Sequence, residues 1–263
     1  MHGQRHKTKG LQTMMTTLKD YNPSPPKVLL AGEMGTGKTL LATTPGARAL
    51  VLDLNNGLTS CRLFKDKFTA DRLSCEVKQC WELGKPGATF SRTLAYVQEF
   101  AKKPSHEMLV IDGLDDLADG ALANILVNAS KWDEKSVDKV TRTEWGAAIA
   151  LVERVMYRIK SLPTVVVMTA HTKLVEVDGN LRTALAVYGR NLGGKLEGMF
   201  DEVWCTKVTG SGAARKFLLQ TISTGGIKCK TRHQLQNDTD MNLGLVEILS
   251  RVGYKWQAKP SAP

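Results

Sequence analysis

The sequence contains no apolar run approaching the roughly 18 residues that cross a bilayer, so a helical membrane protein is excluded as the expected class. The basic opening MHGQRHKTKG lacks the apolar stretch of a secretion signal. Cysteines are few and odd in number, and Cys61, Cys75, Cys80, Cys205 and Cys229 form no C-x-x-C pair. Neither a disulfide framework nor a zinc knuckle is supported, and reduced, partly buried thiols in a cytoplasmic protein are the expectation. Internal repeats and low-complexity tracts are absent, and glycine and proline are modest. What remains, at 42% hydrophobic and 24% charged over 263 residues, is ordinary globular composition with room for one large core.

The charge balance is basic, 36 Lys+Arg against 26 Asp+Glu. Such a surface concentrates polyanions and makes nucleic acid a natural partner, although a soluble basic protein with no such partner has the same balance. Residues 1–26, ending in Pro23, Pro25 and Pro26, read as a flexible or partner-docking arm with a short helix near Leu11–Leu18. Apolar strands and amphipathic helices then alternate. Strands are expected at Val28–Ala31, Ala49–Leu54, Cys75–Gln79, Met108–Ile111 and Thr164–Thr169. Helices are expected at Lys38–Thr44, Thr89–Ala101, Leu114–Val127 and Glu144–Ile159. That alternation predicts an α/β fold with a mainly parallel sheet and helices on both faces. After Ala170 the pattern turns antiparallel, with a hairpin over Leu174–Val187 about Asp178-Gly179 and strands at Glu202–Val208 and Phe217–Ile222.

Between the first strand and first helix lies Gly32-Glu33-Met34-Gly35-Thr36-Gly37-Lys38-Thr39, which fits G-x-x-x-x-G-K-[ST]. Gly35 and Gly37 permit backbone conformations that turn successive N–H groups inward on phosphate oxygens. In this P-loop reading Lys38 reaches the β- and γ-phosphates of ATP, and the Thr39 hydroxyl ligates Mg²⁺. The metal also needs a carboxylate at the end of a neighbouring strand, and Met-Leu-Val-Ile-Asp112 supplies one; a turn or capping role is the alternative for Asp112. Asp115 and Asp116 open the next helix, where serving its dipole is sufficient reason for them. Asp53 ends the second strand and is a candidate for the same site, while Glu33 is expected to point outward.

His171 follows the strand-like Val165–Ala170. A polar residue at a core strand's C-terminal end lies beside the phosphate loop in an open α/β sheet, which offers a γ-phosphate sensor; a surface-loop histidine is the other reading. Lys228, Lys230 and Arg232 alternate along the chain, so an extended strand would present all three on one face, suited to a phosphate or simply to solvent.

Taken in order, the P-loop, Leu-Val-Ile-Asp112, Thr-Ala-His171, Gly193-Gly-Lys195-Leu and the Lys228/Lys230/Arg232 run resemble the RecA-like recombinases. More narrowly, the chain looks like the short phage-encoded RecA-core ATPases of the Sak-four type, which assist single-strand annealing and recombination. The resemblance covers roughly residues 27–235. It implies a RecA-like P-loop NTPase core over 27–240, followed by a C-terminal helix and tail over 241–263, in a phage protein acting in the host cytoplasm. It also implies a homo-oligomer whose ATP site is shared between subunits, with Lys228, Lys230 or Arg232 reaching the neighbour's γ-phosphate. His171 would couple ATP to DNA affinity. Two segments would face single-stranded DNA, one carrying Lys131, Lys135, Lys139 and Arg142 and the other Lys173, Arg182 and Arg190, with Trp132 and Tyr188 as stacking platforms. A single-strand-binding protein is a further implied partner.

One departure stands out. Where RecA-like enzymes place a catalytic glutamate, two residues after the second strand's closing aspartate, this chain has Asn55. An amide orients water but accepts no proton, so either Asp53 substitutes or ATP acts mainly as a switch. Two other readings follow: a nucleotide-gated binding module with little hydrolysis, which Asn55→Glu would activate, and a small P-loop phosphotransferase, which lacks support from any Arg-rich lid segment. A helicase-type motor would need more chain. Loss of nucleotide affinity in Lys38→Ala, read by titration with a fluorescent ATP analogue, is the expected outcome of the P-loop assignment; full affinity in that variant would overturn it.

Overall fold

Lys27–Gly32 (β1) is buried at every position, as a strand covered on both faces must be. The computed structural model describes residues 24–43, 48–59, 61, 75–85, 87–129, 140–177, 179–189, 191–224 and 228–255. The expected N-terminal arm, apart from residues 24–26, lies outside them. In chain order the elements after β1 are α1 (Lys38–Ala42), β2 (Ala49–Asp53), β3 (Cys75–Gln79), α2 (Ala88–Lys102), β4 (Met108–Asp112), α3 (Leu114–Asn128) and α4 (Arg142–Lys160). Then come β5 (Val165–Val177), β6 (Asn180–Leu185), α5 (Leu192–Glu197), β7 (Glu202–Thr209), β8 (Lys216–Gln220), β9 (Thr239–Asp240) and α6 (Leu245–Arg251).

The strands order as β3-β2-β4-β5-β1-β7-β8-β9. Pairing is parallel from β3 to β7 and antiparallel from β7 onward. Alternate residues of a strand face opposite sides, and the core divides accordingly. Leu29, Leu109, Ile111, Val166 and Met168 pack under α2, α3, α4 and α5. Val28, Leu30, Val110, Val165 and Val167 pack with α1 and α6 on the other side. The expected α/β sheet with helices on both faces and antiparallel C-terminal strands is therefore present. Because Leu245, Ile248 and Leu249 belong to the same cluster as β1, the packed core runs on past residue 240.

Helix α4 begins two residues before the predicted Glu144. Thr141 and Glu144 form a reciprocal capping box, which satisfies two otherwise orphaned backbone donors and so moves the start upstream.

Three expectations change. First, the strand predicted at Thr164–Thr169 continues for 13 residues to Val177. Helices cover its first half; its second half leaves the sheet and pairs with β6. Val177 opposes Asn180 across the predicted turn, where Gly179 takes a φ of 74°, the left-handed value such a turn needs. Second, β4 is not the neighbour of β1: β5 lies between them, so Asp112 approaches the phosphate loop across an intervening strand.

Third, Lys228–Arg232 forms no edge strand; only Lys230 pairs, in a single bridge to Val203. A fully buried carboxylate, Glu202, takes the place of a ladder. It accepts hydrogen bonds from Arg232 N at 2.8 Å, His233 N at 3.2 Å, His233 Nδ1 at 2.8 Å and Trp204 Nε1 at 2.8 Å. Glu202→Ala would strand these donors, so a loss of about 2–4 kcal/mol is expected, measurable as a lower urea midpoint.

Candidate nucleotide site

The parallel registers bring Gly32, Asp53, Asp112 and His171 to one end of the sheet. Gly32 pairs with His171, Asp112 with Thr169, and Asp53 with Asp112. The phosphate loop leaves β1 here. Gly35 and Gly37 hold φ at 74° and 86°, a region that L side chains resist, and a Cβ on Gly32 would fall 2.2 Å from Thr206 Oγ1. Gly37 precedes α1 without any side-chain cap, so the loop's N–H groups remain available to an anion. Glu33 and Met34 point outward, as expected for Glu33, while Thr36 turns in to share a hydrogen bond of 2.6 Å with Thr206 Oγ1.

Lys38 is 6% exposed and folds back over the loop, donating to Gly32 O at 3.1 Å and Glu33 O at 2.8 Å. Burial lowers its pKa, against the pull of Asp115, Asp112 and Glu33. Thr39 Oγ1 and Thr169 Oγ1 both donate to Asp112 Oδ1, at 3.0 and 2.6 Å. The other oxygen, Oδ2, is buried with no hydrogen-bond partner, and burial raises the pKa of this carboxylate. A hydroxyl and an unsatisfied carboxylate oxygen side by side are hard donors of the kind Mg²⁺ takes, with nucleotide phosphates and waters completing its shell. The site fits that ion on Thr39 and Asp112. Among the described residues no cluster of three or more His, Cys, Asp and Glu is arranged to hold a metal.

Asp53 is tied to the turn that follows β2. Its Oδ1 accepts from Asn55 N at 3.4 Å and Gly57 N at 3.2 Å, which commits the carboxylate to shaping the turn that presents Asn55. Burial raises its pKa against those backbone donors. His171 lies within β5 and not on a surface loop. Its backbone N–H donates to Asp115 Oδ1 at 3.1 Å, and its Nδ1 lies 2.7 Å from Asp115 Oδ2. That hydrogen bond raises the histidine's pKa; burial alone would raise that of Asp115, but the bonds from His171 hold it low.

Of the residues expected to face nucleic acid, Lys131, Lys135, Lys139 and Arg190, with Trp132, lie outside the described residues. Arg142 is exposed in the first turn of α4. The β5–β6 register places Lys173 and Arg182 on one face of the hairpin, and Lys173 Nζ donates to Val187 O at 2.9 Å. Tyr188 offers no free ring: it packs on Trp145 at 4.7 Å between centroids, and its hydroxyl donates to Ala118 O at 2.8 Å. Lys230 and Arg232 are held toward the end of the sheet opposite the phosphate loop. Arg232 pairs at 2.9 Å with Asp201, which also accepts from the N–H of Lys27 at the start of β1. Lys230 Nζ donates to Phe200 O at 2.5 Å, and Lys228 lies 3.9 Å from Glu197.

The AAA domain family AAA_24 matches residues 24–233, most of the chain and the whole of this site. The chain belongs to that family. Its fold is that of an α/β P-loop NTPase, and its family is one of nucleotide-binding ATPases. No curated protein matches it by sequence. It is similar to a solved KaiC-like protein of Pyrococcus horikoshii, with 15% identity over 77% of this chain and 80% of that one and a TM-score of 0.45. Flagellar accessory protein FlaH of Methanocaldococcus jannaschii gives 12%, 76%, 79% and 0.40. The RadB recombinase gives 12%, 78%, 86% and 0.48.

Sequence reading missed Thr169, which no motif marks, and gave Asp116 only a dipole role. Asp116 Oδ2 accepts from Asn55 Nδ2 at 2.7 Å. A cleft of about 330 Å³ beside the outer side of the loop, lined by Met34, Thr172, Thr183, Lys207 and Arg215, was also unforeseen. Because the Asp112 pKa is raised, its ionised form destabilises the fold, and that cost appears as pH rises through the raised pKa. Asp112→Asn should therefore raise the nucleotide-free melting temperature at neutral pH by about 3–6 °C, while abolishing the further rise that Mg²⁺ gives with nucleotide. Calorimetry reads both.

Proposed function

We propose that this protein is an ATP-dependent, oligomeric single-stranded-DNA-binding protein serving recombination or strand annealing. The observation that carries the reading is the continuity of β5. One strand supplies Thr169 to the metal-site carboxylate, then His171 beside the phosphate loop, then the projecting hairpin with Lys173 and Arg182. A change of charge at the γ-phosphate therefore meets His171 and Asp115 at the root of a hairpin that carries Lys173 and Arg182 on one face. The resemblance to RecA-like recombinases, the family match and the excess of Lys and Arg support the same conclusion.

In this reading Lys38 neutralises the β- and γ-phosphates, Thr39 and Asp112 hold Mg²⁺, and that ion supplies charge stabilisation to the transferring phosphoryl group. Lys228, Lys230 and Arg232 serve a neighbouring subunit's nucleotide. The placement of Lys230 and Arg232 away from this chain's own loop agrees with that role, although Lys230 would first have to leave the Phe200 carbonyl.

Asn55 favours a second reading, in which ATP binding gates DNA binding with little turnover. An ATPase assay with and without single-stranded DNA, combined with sizing of the nucleotide-bound species, separates the two. The first reading expects DNA-stimulated hydrolysis, an assembly larger than one chain, and affinity for DNA falling by about 10³ or more between 50 and 200 mM salt. Assembly and binding without turnover favour the gate; phosphoryl transfer to a metabolite with no response to DNA overturns both.

A further inference from the structure

Asn55 stands where a glutamate is expected, yet its side chain is anchored in a definite orientation. Asp53 fixes the backbone on either side of it, through Asn55 N and Gly57 N. Its Nδ2 donates to Asp116 Oδ2 at 2.7 Å. An amide held by its nitrogen presents its oxygen the opposite way. That oxygen lies over Gly57: a Cβ built there would meet Asn55 Oδ1 at 2.6 Å and Asp112 Oδ2 at 3.0 Å. The first contact is closer than a Cβ tolerates and the second is tight, so any side chain at position 57 would push on the Asn55 amide. The two oxygens flanking that position are separated by no more than the span of one bridging water, at about 2.8 Å per hydrogen bond. One of them, Asp112 Oδ2, is buried and unpartnered.

We propose that Asn55 and Asp116 together replace the missing glutamate, with Asn55 Oδ1 holding the attacking water and Asp116 acting as the positioning residue that orients it. The inference rests on the hydrolytic reading above. The water oxygen bonds to the γ-phosphorus, the bond to the β,γ-bridging oxygen breaks with its electron pair leaving on ADP, and the proton shed by the water passes to a γ-phosphate oxygen. Asn55 accepts a hydrogen bond from the water and takes no proton. Phosphoryl transfer runs through a loose transition state in which positioning and charge stabilisation dominate, so an oriented amide suffices for slow turnover.

Asp116 is suited to this because it is ionised at neutral pH and accepts only. Burial, then the neighbouring Asp115, raise its pKa to about 6, with Asp119 acting in the same sense and Asn55 and His171 against it. Below that pH the neutral carboxyl is a weaker acceptor, and its hold on the amide loosens. The groups around this dyad are Asp53 at the end of β2, Asp112 at the end of β4, Asp115 and Asp119 on α3, His171 on β5 and Lys38 on α1.

The arrangement also revises the expectation for Asn55→Glu. A glutamate there would set a second carboxylate against Asp116, where the amide nitrogen now donates, so the single change should gain nothing, and Asn55→Glu with Asp116→Asn should exceed it.

The test uses the full chain with MgATP and single-stranded DNA. Asp116→Ala is expected to lower kcat about tenfold, or ~1.4 kcal/mol, with the affinity for a fluorescent ATP analogue unchanged. Asp116→Asn, whose amide oxygen accepts the same hydrogen bond, should recover most of that loss. Asp116→Ala combined with Asn55→Ala should be no slower than Asn55→Ala alone, the signature of one residue acting through the other. An independent reading comes from the Asn55 side-chain amide in ¹⁵N NMR of the nucleotide-free protein. Its signal should titrate near pH 6 and lose that titration in Asp116→Ala.

Additive losses, undiminished turnover in Asp116→Ala, or an amide signal indifferent to Asp116 would overturn the proposal. A wild-type protein that binds ATP without cleaving it would instead remove the hydrolytic reading and the water-holding role with it. The amide signal would then still decide whether Asp116 sets the orientation of Asn55.

Discussion

Asp112 lies at the centre of the site, 1% exposed and, among the described residues, held by two hydroxyls and no cationic side chain. Taking a carboxylate out of water costs several kcal/mol unless its oxygens are satisfied. Here one oxygen is satisfied twice and the other not at all. The two donors come from different elements: Thr39 opens the phosphate-loop helix, and Thr169 belongs to the strand wedged between β1 and β4. A single buried acid therefore ties three segments together. The unmet oxygen is a local debt that a bound divalent ion would settle, so the same feature that strains the nucleotide-free fold prepares it for its ligand.

The wedge strand matters for a second reason. Because β5 separates the phosphate-loop strand from the acid-bearing strand, His171 stands between them, at the register of Gly32. The chain then continues without interruption into the hairpin. That hairpin has two different faces. The register puts Lys173 and Arg182 on one, and Thr172, Leu174, Leu181 and Thr183 on the other, with Leu174 and Leu181 each 68% exposed.

Much of this was legible in the chain. The phosphate loop is fixed by residue types at fixed spacing, and the strands feeding it are apolar runs that only a doubly covered sheet accounts for. Asp112 follows from the same logic, since an acid directly after four buried strand residues falls at the sheet's edge. What escaped was lateral. The order of the strands is not written in their sequences, so Asp112 was expected on the strand next to β1, and Thr169 gave no sign of facing it. Asp116 looked like a helix-dipole residue until the turn at Asn55 was seen to reach it. Lys228–Arg232 alternates as a strand does, but Glu202, distant in sequence from its own point of view as a β7 residue, gathers the backbone of Arg232 and His233 instead of leaving it to a ladder.

The division has a physical basis. Sequence by itself determined that a phosphate-binding loop would form, because glycine's conformational freedom and the lysine and threonine after it act within a few residues of one another. It also determined an α/β sheet covered on both faces, because burial pattern is a local record of which sides of a strand are dry. Tertiary structure alone decided which carboxylates and amides share the site. Those contacts join residues 61 and 73 positions apart, Asn55 with Asp116 and Thr39 with Asp112, and only the packing order of the sheet brings them within hydrogen-bonding distance.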